Sequence, residues 1–397
     1  MLAAIYDGLS IEVSTLAGYD RLYFLKKAWA LYPGVVRPIS GPFLATHYAD
    51  RRAGRTAARA TVDAVIGALF HAWVPIRARK VQRKFGLDAE WRRRATAIAH
   101  ARFADPNDIA LFRIGEAEEI GHYIRRFEDA AINKRLNPRG WSADCALADK
   151  ARFAERCRTA GLPHAETVAT IDDGKIVVTG DVTNRLLVVK PCDGEGGDGV
   201  RMIGPFADTG SAEAALRPTQ GNAVVQPLIA CHPDIAQIAL DALPTVRVVT
   251  ILDEAGVPEV VSATFRCASK VGARVDNMKA GGLIVPVELA TGTLGIACQG
   301  YGGSDHIVHP VTAAAIMGRT LPDWTAATAL VSRAHALAFD DYIIIGWDVA
   351  LTPDGPILIE GNGKPGVLMP QRAARRGLGE TRYGALIAHH LSTGSAR

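Results

Sequence analysis

Apolar side chains between Val62 and Trp73 fall at the spacing of one helix face: Val62, Val65, Ile66, Leu69, Phe70 and Trp73. Pro75 predicts the end of that helix. Upstream, Arg21–Tyr32 sets Leu22, Leu25, Trp29 and Tyr32 on one face and stops at Pro33-Gly34. The region up to about residue 105 therefore reads as helical, and Asp105-Pro-Asn-Asp108 interrupts the pattern. Glu116–Leu136 predicts a further helix with Ile120, Tyr123, Ile124, Phe127 and Ala131 on one side, ended by Asn137-Pro138. Asp144–Ala160 predicts another, closed by Gly161 and Pro163.

The period then changes. Leu186–Lys190 is a short β-branched run, and Val224–Ile229 is a second. Thr245–Leu252 alternates and carries Arg247 on its polar face; Asp253–Pro258 turns the chain, and Val260–Cys267 returns with Arg266 near its end. After a helix over Asp323–Ala338, apolar runs at Tyr342–Leu351 and Ile357–Ile359 flank Thr352-Pro-Asp-Gly355, whose proline and glycine suit a tight turn. A last helix is expected over Arg375–His390. Helices followed by mixed strands and helices define an α+β chain.

Composition narrows the class. The 397 residues allow two or three domains, and 48% hydrophobic with 22% charged residues is the balance of a soluble globular protein. A net charge of +4 gives no sign of a nucleic-acid partner. The positive surplus lies mostly in Arg77, Arg79, Lys80, Arg83, Lys84, Arg92, Arg93 and Arg94, a run suited to a membrane surface, a protein partner, an anionic substrate or simply a solvated face. Six cysteines (145, 157, 192, 231, 267, 298) form no CxxC pair, as expected of reduced thiols in the cytoplasm. The N-terminus has no signal-peptide pattern, and no apolar run reaches membrane-spanning length.

Two stretches carry candidate chemistry. The C-terminal hairpin sets Asp348 on one strand, with Glu360 and Asn362, two apart and so on one face, at the end of the other. Three side-chain oxygens of this kind suit Mg²⁺; the spacing alone equally suits a hairpin with three solvated polar residues. The second stretch follows Lys190-Pro191: Cys192-Asp-Gly194-Glu195-Gly196-Gly197-Asp-Gly199 is a loop whose backbone N–H groups can approach phosphates closely. It lacks the Gly-Lys-Ser/Thr of a Walker loop, and no helix clearly opens after it as a dinucleotide fingerprint requires. His306 and His309, in the Gly-rich loop Gly300–Pro310, have no third ligand nearby for a metal.

The order of these features resembles the ATP-grasp superfamily, and within it the sugar-transfer-associated group and the carboxylate–amine ligases of the glutamate-ligase type. Asp348, Glu360-x-Asn362 and Pro365-Gly366 match its metal-binding end, and Lys190 with the glycines matches its phosphate lid. Asp149-Lys150, Phe153 and Gly161-Leu-Pro163 match the helix before its core, and Val224–Ile229 its adenine hinge. Arg247, Arg266 and Asn277 before Gly281-Gly282 match its acyl-phosphate side. Pro227 departs from the pattern, standing where the family usually has a glutamate that accepts from the adenine amino group.

The resemblance implies an ATP-grasp fold, two α+β subdomains clasping ATP, with a helical basic region over 1–107 and the ATP-grasp domain over 108–397. The flap-bearing part would span about 164–225 and the metal-binding part about 226–393. It implies Asp348, Glu360 and Asn362 as ligands of two Mg²⁺ ions, with Mn²⁺ as an alternative. Lys150, Lys190, Gly194, Glu195, Gly196, Gly197, Gln226, the Leu228 N–H and Asp234 would hold ATP, and Arg247, Arg266 and Asn277 would act on the transferred phosphoryl group. The implied activity is ATP-dependent ligation of a small-molecule carboxylate to an amine or similar nucleophile, in polysaccharide, envelope or small-molecule biosynthesis. The alternatives are a kinase acting on a hydroxyl and a non-catalytic nucleotide-binding scaffold. The expected location is cytoplasmic, with membrane-peripheral or protein contact through the basic N-terminal helices, and no nucleic-acid partner is expected.

Overall fold

The computed structural model describes residues 41–142, 144–193, 197–273, 276, 281–299 and 303–394. The helix expected over Arg21–Tyr32 lies outside them, as do Gly194, Glu195, Gly196 and Asn277. The chain divides into two compact units, one of Met1–Asp129 with Gly377–Glu380 and one of Ala130–Arg376 with Thr381–Arg397.

In the first unit, α1 (Ala45–Ala53), α2 (Ala57–Phe85), α3 (Ala89–Arg102) and α4 (Pro106–Leu111) follow one another, and α5 (Arg126–Leu136) begins. Thr56 and Asp88 cap α2 and α3 by accepting from Arg59 N and Trp91 N, and Asp105 caps α4 ahead of its proline. Pro75 does not end α2; the helix runs through it. An interior proline costs about 3 kcal/mol in an isolated helix. Here the buried line Ile66, Phe70, Val74, Ala78, Val81 continues past it, and tertiary packing outweighs the lost hydrogen bond. The predicted apolar stripe splits between two faces: Ile66 and Phe70 are buried, whereas Val65 and Leu69 face outward. The helix expected over Glu116–Leu136 is interrupted. Glu119 Oε1 accepts from Gly115 N and Glu116 N, a 3₁₀ turn follows at Glu119–His122, and α5 begins only at Arg126.

The second unit holds two antiparallel sheets. The smaller has the order β2 (Lys175–Val178), β1 (Ala169–Asp172), β5 (Ala223–Pro227), β3 (Leu187–Pro191), β4 (Arg201–Ile203). Leu187, Val189, Ala223 and Val225 face a core that Ala212 and Leu216 of α7 (Thr209–Leu216) complete. Lys190 and Gln226 belong to the alternate positions and so share the opposite face. Ahead of this sheet stands α6 (Lys150–Thr159), shorter than predicted because Asp149 caps it by accepting from Ala151 N and Arg152 N.

The larger sheet has the order β10 (Asp305–His306), β9 (Ala297–Gln299), β8 (Leu283–Pro286), β7 (Pro258–Cys267), β6 (Thr245–Leu252), β11 (Ile344–Thr352), β12 (Gly355–Asn362). One face packs under α8 (Trp324–Ala338) through Val246, Val248, Phe265, Ile345, Trp347 and Val349. The last predicted helix is divided into α9 (Leu368–Ala374) and α10 (Arg382–Thr393) by Arg375 in the left-handed conformation and a 3₁₀ turn at Leu378–Glu380. α9 and α10 contact β7, and α9 also contacts β8. Every residue of β6 and of β11 is buried. The polar face on which the alternation sets Arg247 is a second, polar interior.

Asn137 fixes the strands that carry the candidate site. It is fully buried; its Oδ1 accepts from Ile343 N at 2.8 Å and Ile344 N at 3.3 Å, and its Nδ2 donates to Gly363 O at 3.1 Å and to Ile344 O. One side chain thus ties the entry of β11 to the exit of β12. Each buried polar group stranded without a partner costs about 1–3 kcal/mol. We expect Asn137→Ala to lower stability by about 3 kcal/mol or more in urea unfolding. A loss below about 1 kcal/mol would show that these carbonyl and N–H groups find other partners.

Candidate functional site

The site is built on the face of the larger sheet away from α8. Register sets its members side by side: Glu360 opposite Asp348, Asp348 opposite Arg247, and Thr245 opposite Arg266. Asp348 is buried, 4% exposed, between two guanidinium groups. Arg247 makes a two-pronged contact, Nε to Oδ1 and Nη2 to Oδ2 at 3.1 Å, and its Nη1 donates to Pro365 O at 3.0 Å. Arg266 crosses from β7 and places Nη2 2.9 Å from Asp348 Oδ2. Gly346 is needed beside them, since a Cβ there would lie 2.7 Å from Pro365 Cβ and 3.3 Å from Arg247 Cδ.

Charge sorts these groups. Burial alone would raise the Asp348 carboxyl, but Arg247 and Arg266 overcome it and hold Asp348 far below the usual carboxylate range. The Glu360 carboxyl moves the other way, raised by burial and by the neighbouring Asp348 against the opposing pull of Arg247 and Lys150. Asn362 Nδ2 lies 3.5 Å from Glu360 Oε1. Asp348, Glu360 and Asn362 therefore meet as the hairpin predicts. Two neighbouring carboxyl groups with an amide side chain beside them fit Mg²⁺, a hard cation that takes oxygen donors, when the amide presents its oxygen.

Lys190 approaches from the smaller sheet. Burial first, and then Lys150, lower its ammonium to about 8, while Glu360 and Asp348 pull the other way. Lys150 opens α6, and its N–H donates to Cys192 O at 3.1 Å, which holds the helix start against the exit of β3. Four cationic side chains (Lys150, Lys190, Arg247, Arg266) thus gather around three acidic ones (Asp276, Asp348, Glu360), a surplus suited to a polyanion.

Asp276 and Thr245 are site residues that sequence reasoning missed. Thr245 Oγ1 accepts from Arg266 Nε at 3.1 Å and also from Nη2, and donates to Asp276 Oδ2. Asp276 also accepts from Thr245 N at 3.1 Å and lies 3.5 Å from Arg266 Nε. Burial raises the Asp276 carboxyl against the pull of Arg266. Burial would weaken the Arg266 cation, yet Asp276 and Asp348 together bind its proton more firmly than usual. The available signal was Asp276 one residue before Asn277.

At the hinge the structure departs from expectation. The Leu228 N–H, named as a nucleotide donor, is engaged within the protein: it donates to Leu186 O at 2.9 Å because the β3–β5 ladder runs one residue past Pro227. Gln226 is buried, its Nε2 reaches Ala165 O at 3.4 Å, and its Oε1 has no hydrogen-bond partner among the described residues. A buried acceptor of this kind calls for a donor. Asp234 is exposed on a 3₁₀ turn, its N–H donating to His232 Nδ1 and its carbonyl accepting from Arg319. Gly197, with φ of 80°, and Gly199, with φ of 69°, adopt the left-handed backbone that glycine allows. His309 is buried and bonded to Ala268 O. Among the described residues no cluster of three histidine, cysteine, aspartate or glutamate side chains could hold a metal.

A family model described as "sugar-transfer associated ATP-grasp" matches residues 129–383, and the chain belongs to that family. No curated protein matches it in sequence. Solved structures to which it is similar include L-amino acid ligase from Bacillus licheniformis (14% identity, 55% of this chain and 40% of that one, TM-score 0.32). D-alanyl-alanine synthetase A from Vibrio cholerae is similar at 10% identity over 63% of this chain and 66% of that one, with TM-score 0.39. A D-alanine–D-alanine ligase from Bacillus anthracis, complexed with ATP, gives 12% identity over 63% and 66%, with TM-score 0.35. The chain spans 40% and 66% of the length of the first two.

The electrostatics can be checked directly. In an NMR titration of the protein with its lysines carrying ¹³C-methyl labels, Lys190 should titrate near pH 8, below the ordinary 10.5. Glu360→Gln should lower that midpoint further, because it removes a carboxylate that favours the ammonium, and Lys150→Gln should raise it. Between about 8 and 10.5 the unfolded chain holds the proton that the folded one has lost, so this lysine makes stability rise with pH across that window. An ordinary Lys190 midpoint would contradict the burial and neighbours assigned to it.

Proposed function

We propose that this protein is an ATP-dependent ligase that activates a carboxylate as an acyl phosphate for attack by an amine or similar nucleophile. The observation that carries the reading is the single covered face on which Arg247 and Arg266 grip Asp348 beside Glu360 and Asn362, with Lys190 and Lys150 close by. ATP and a carboxylate are both anions, and bringing them together requires a concentrated positive field. Lys150 and Lys190 bind the phosphates. Gln226 Oε1, buried and without a partner among the described residues, accepts from the amino group of the base in place of the glutamate that Pro227 replaces. Arg247 and Arg266 orient the γ-phosphoryl group and the acceptor carboxylate through their planar guanidinium groups. Thr245 and Asp276 brace Arg266 from behind so that its fork stays aimed.

Asp348, Glu360 and Asn362 would hold Mg²⁺, which when bound neutralises phosphate charge and polarises the transferring group. The γ-phosphorus–oxygen bond to ADP breaks as a carboxylate oxygen bonds to phosphorus. The nucleophile then attacks the acyl carbon, phosphate leaves, and the proton of the attacking amine passes to solvent or to the departing phosphate. The family's association with sugar transfer directs the search for the carboxylate toward sugar acids and precursors of envelope polysaccharides.

Hydroxylamine traps acyl phosphates as hydroxamates, so the test is ATP-dependent hydroxamate formation across a carboxylate panel. We expect hydroxamate and ADP together, and a loss of roughly a hundredfold or more in Glu360→Gln with its thermal unfolding little changed. Normal turnover by that variant would remove Glu360 from the site. A phosphorylated hydroxyl acceptor without hydroxamate would identify a kinase on the same scaffold.

A further inference from the structure

The first unit presents a surface that the site chemistry does not use. On the outward side of α2, Val65, Leu69 and Ile76 are 55%, 48% and 69% exposed. Ala72, Arg79, Lys80 and Arg83 are exposed as well. At 3.6 residues per turn these seven side chains fall within an arc of about 100° and extend over about 27 Å of helix. Along that line aliphatic residues come first and basic ones after. Ile76, Arg79, Lys80, Arg83 and Lys84 together line one open surface pocket. The one carboxylate in α2, Asp63, is buried and held by Arg55 and Arg59, so α2 itself adds no negative charge to the outward face.

We infer that this face of α2 docks on an anionic lipid bilayer. The charge pattern selects the partner. A row of arginine and lysine continuous with exposed aliphatic side chains matches a membrane interface, where the aliphatic groups enter the acyl boundary and the cations meet anionic headgroups. A nucleic acid would satisfy the cations but leave Val65, Leu69 and Ile76 against a hydrated backbone. The long stems of Arg79, Lys80 and Arg83 let their charges reach the headgroup level while the apolar half of the helix lies flat. Among the described residues no helix is long and apolar enough to cross a membrane, so the contact would be peripheral. It would bring the protein to substrates carried at a membrane surface.

The test is sedimentation of the full chain with phosphatidylcholine vesicles, with and without phosphatidylserine. Binding should require phosphatidylserine and weaken with salt. Each basic side chain near such a surface contributes about fivefold, so Arg79→Gln/Lys80→Gln/Arg83→Gln should lower partitioning roughly a hundredfold. Leu69→Ser/Ile76→Ser should also weaken binding while leaving thermal unfolding unchanged. Absence of binding to phosphatidylserine vesicles, or wild-type binding by the triple variant, would overturn the inference. A large fall in thermal stability of the Leu69→Ser/Ile76→Ser variant would overturn it too, because the stripe would then be covered by the chain itself or by a protein partner.

Discussion

The second unit depends on one constraint: a carboxylate on β11 buried where water cannot solvate it. Burying Asp348 alone would neutralise it, and an isolated buried charge is costly. Two guanidinium groups, one from each of two strands of the same sheet, keep it ionised. Everything around it follows from that requirement. Gly346 must lack a side chain, Pro365 must offer its carbonyl to Arg247, and Thr245 with Asp276 must occupy the other side of Arg266. The second acidic group, Glu360, is then left with a neighbour of its own sign, which together with burial raises its carboxyl.

The same constraint explains why the larger sheet is covered on both sides. A charged network of this kind gains strength only when shielded from solvent, and it is tolerated there only when its members satisfy one another. The α8 face supplies the apolar core, with Trp347 packed against Phe153 and Phe339. The opposite face supplies the polar interior. Asn137, reaching both strands of the hairpin, ties the entry of β11 to the exit of β12.

Much of this was legible in the sequence, for definite reasons. The hairpin could be read because Thr352-Pro-Asp-Gly355 is unambiguous turn chemistry and a period of two fixes which side chains share a face. Lys190 at the end of β3 and Arg247 within β6 followed from the same period. What covers a face is not encoded in its own period, so the burial of Arg247 could not be read from the alternation. Arg266 reaches past β6 to Asp348 on β11, a contact that requires the strand order. The helix through Pro75 was missed because a local rule yielded to packing along Ile66, Phe70, Val74 and Ala78. The Leu228 N–H was misjudged because ladder pairing continued one residue past a proline.

The central claim is that the Asp348–Glu360–Asn362 corner and its cations form a magnesium-dependent nucleotide site. The most direct measurement is thermal unfolding of the wild type with ATP, in the presence of Mg²⁺ and again in the presence of a chelator, repeated with Asn362→Leu. A site filled at about 100 times its dissociation constant adds roughly 2.7 kcal/mol to stability. The account predicts an increase of that order for the wild type with Mg²⁺, most of it lost with the chelator and in Asn362→Leu. Equal stabilisation with and without the metal, or none with any nucleotide, would contradict it.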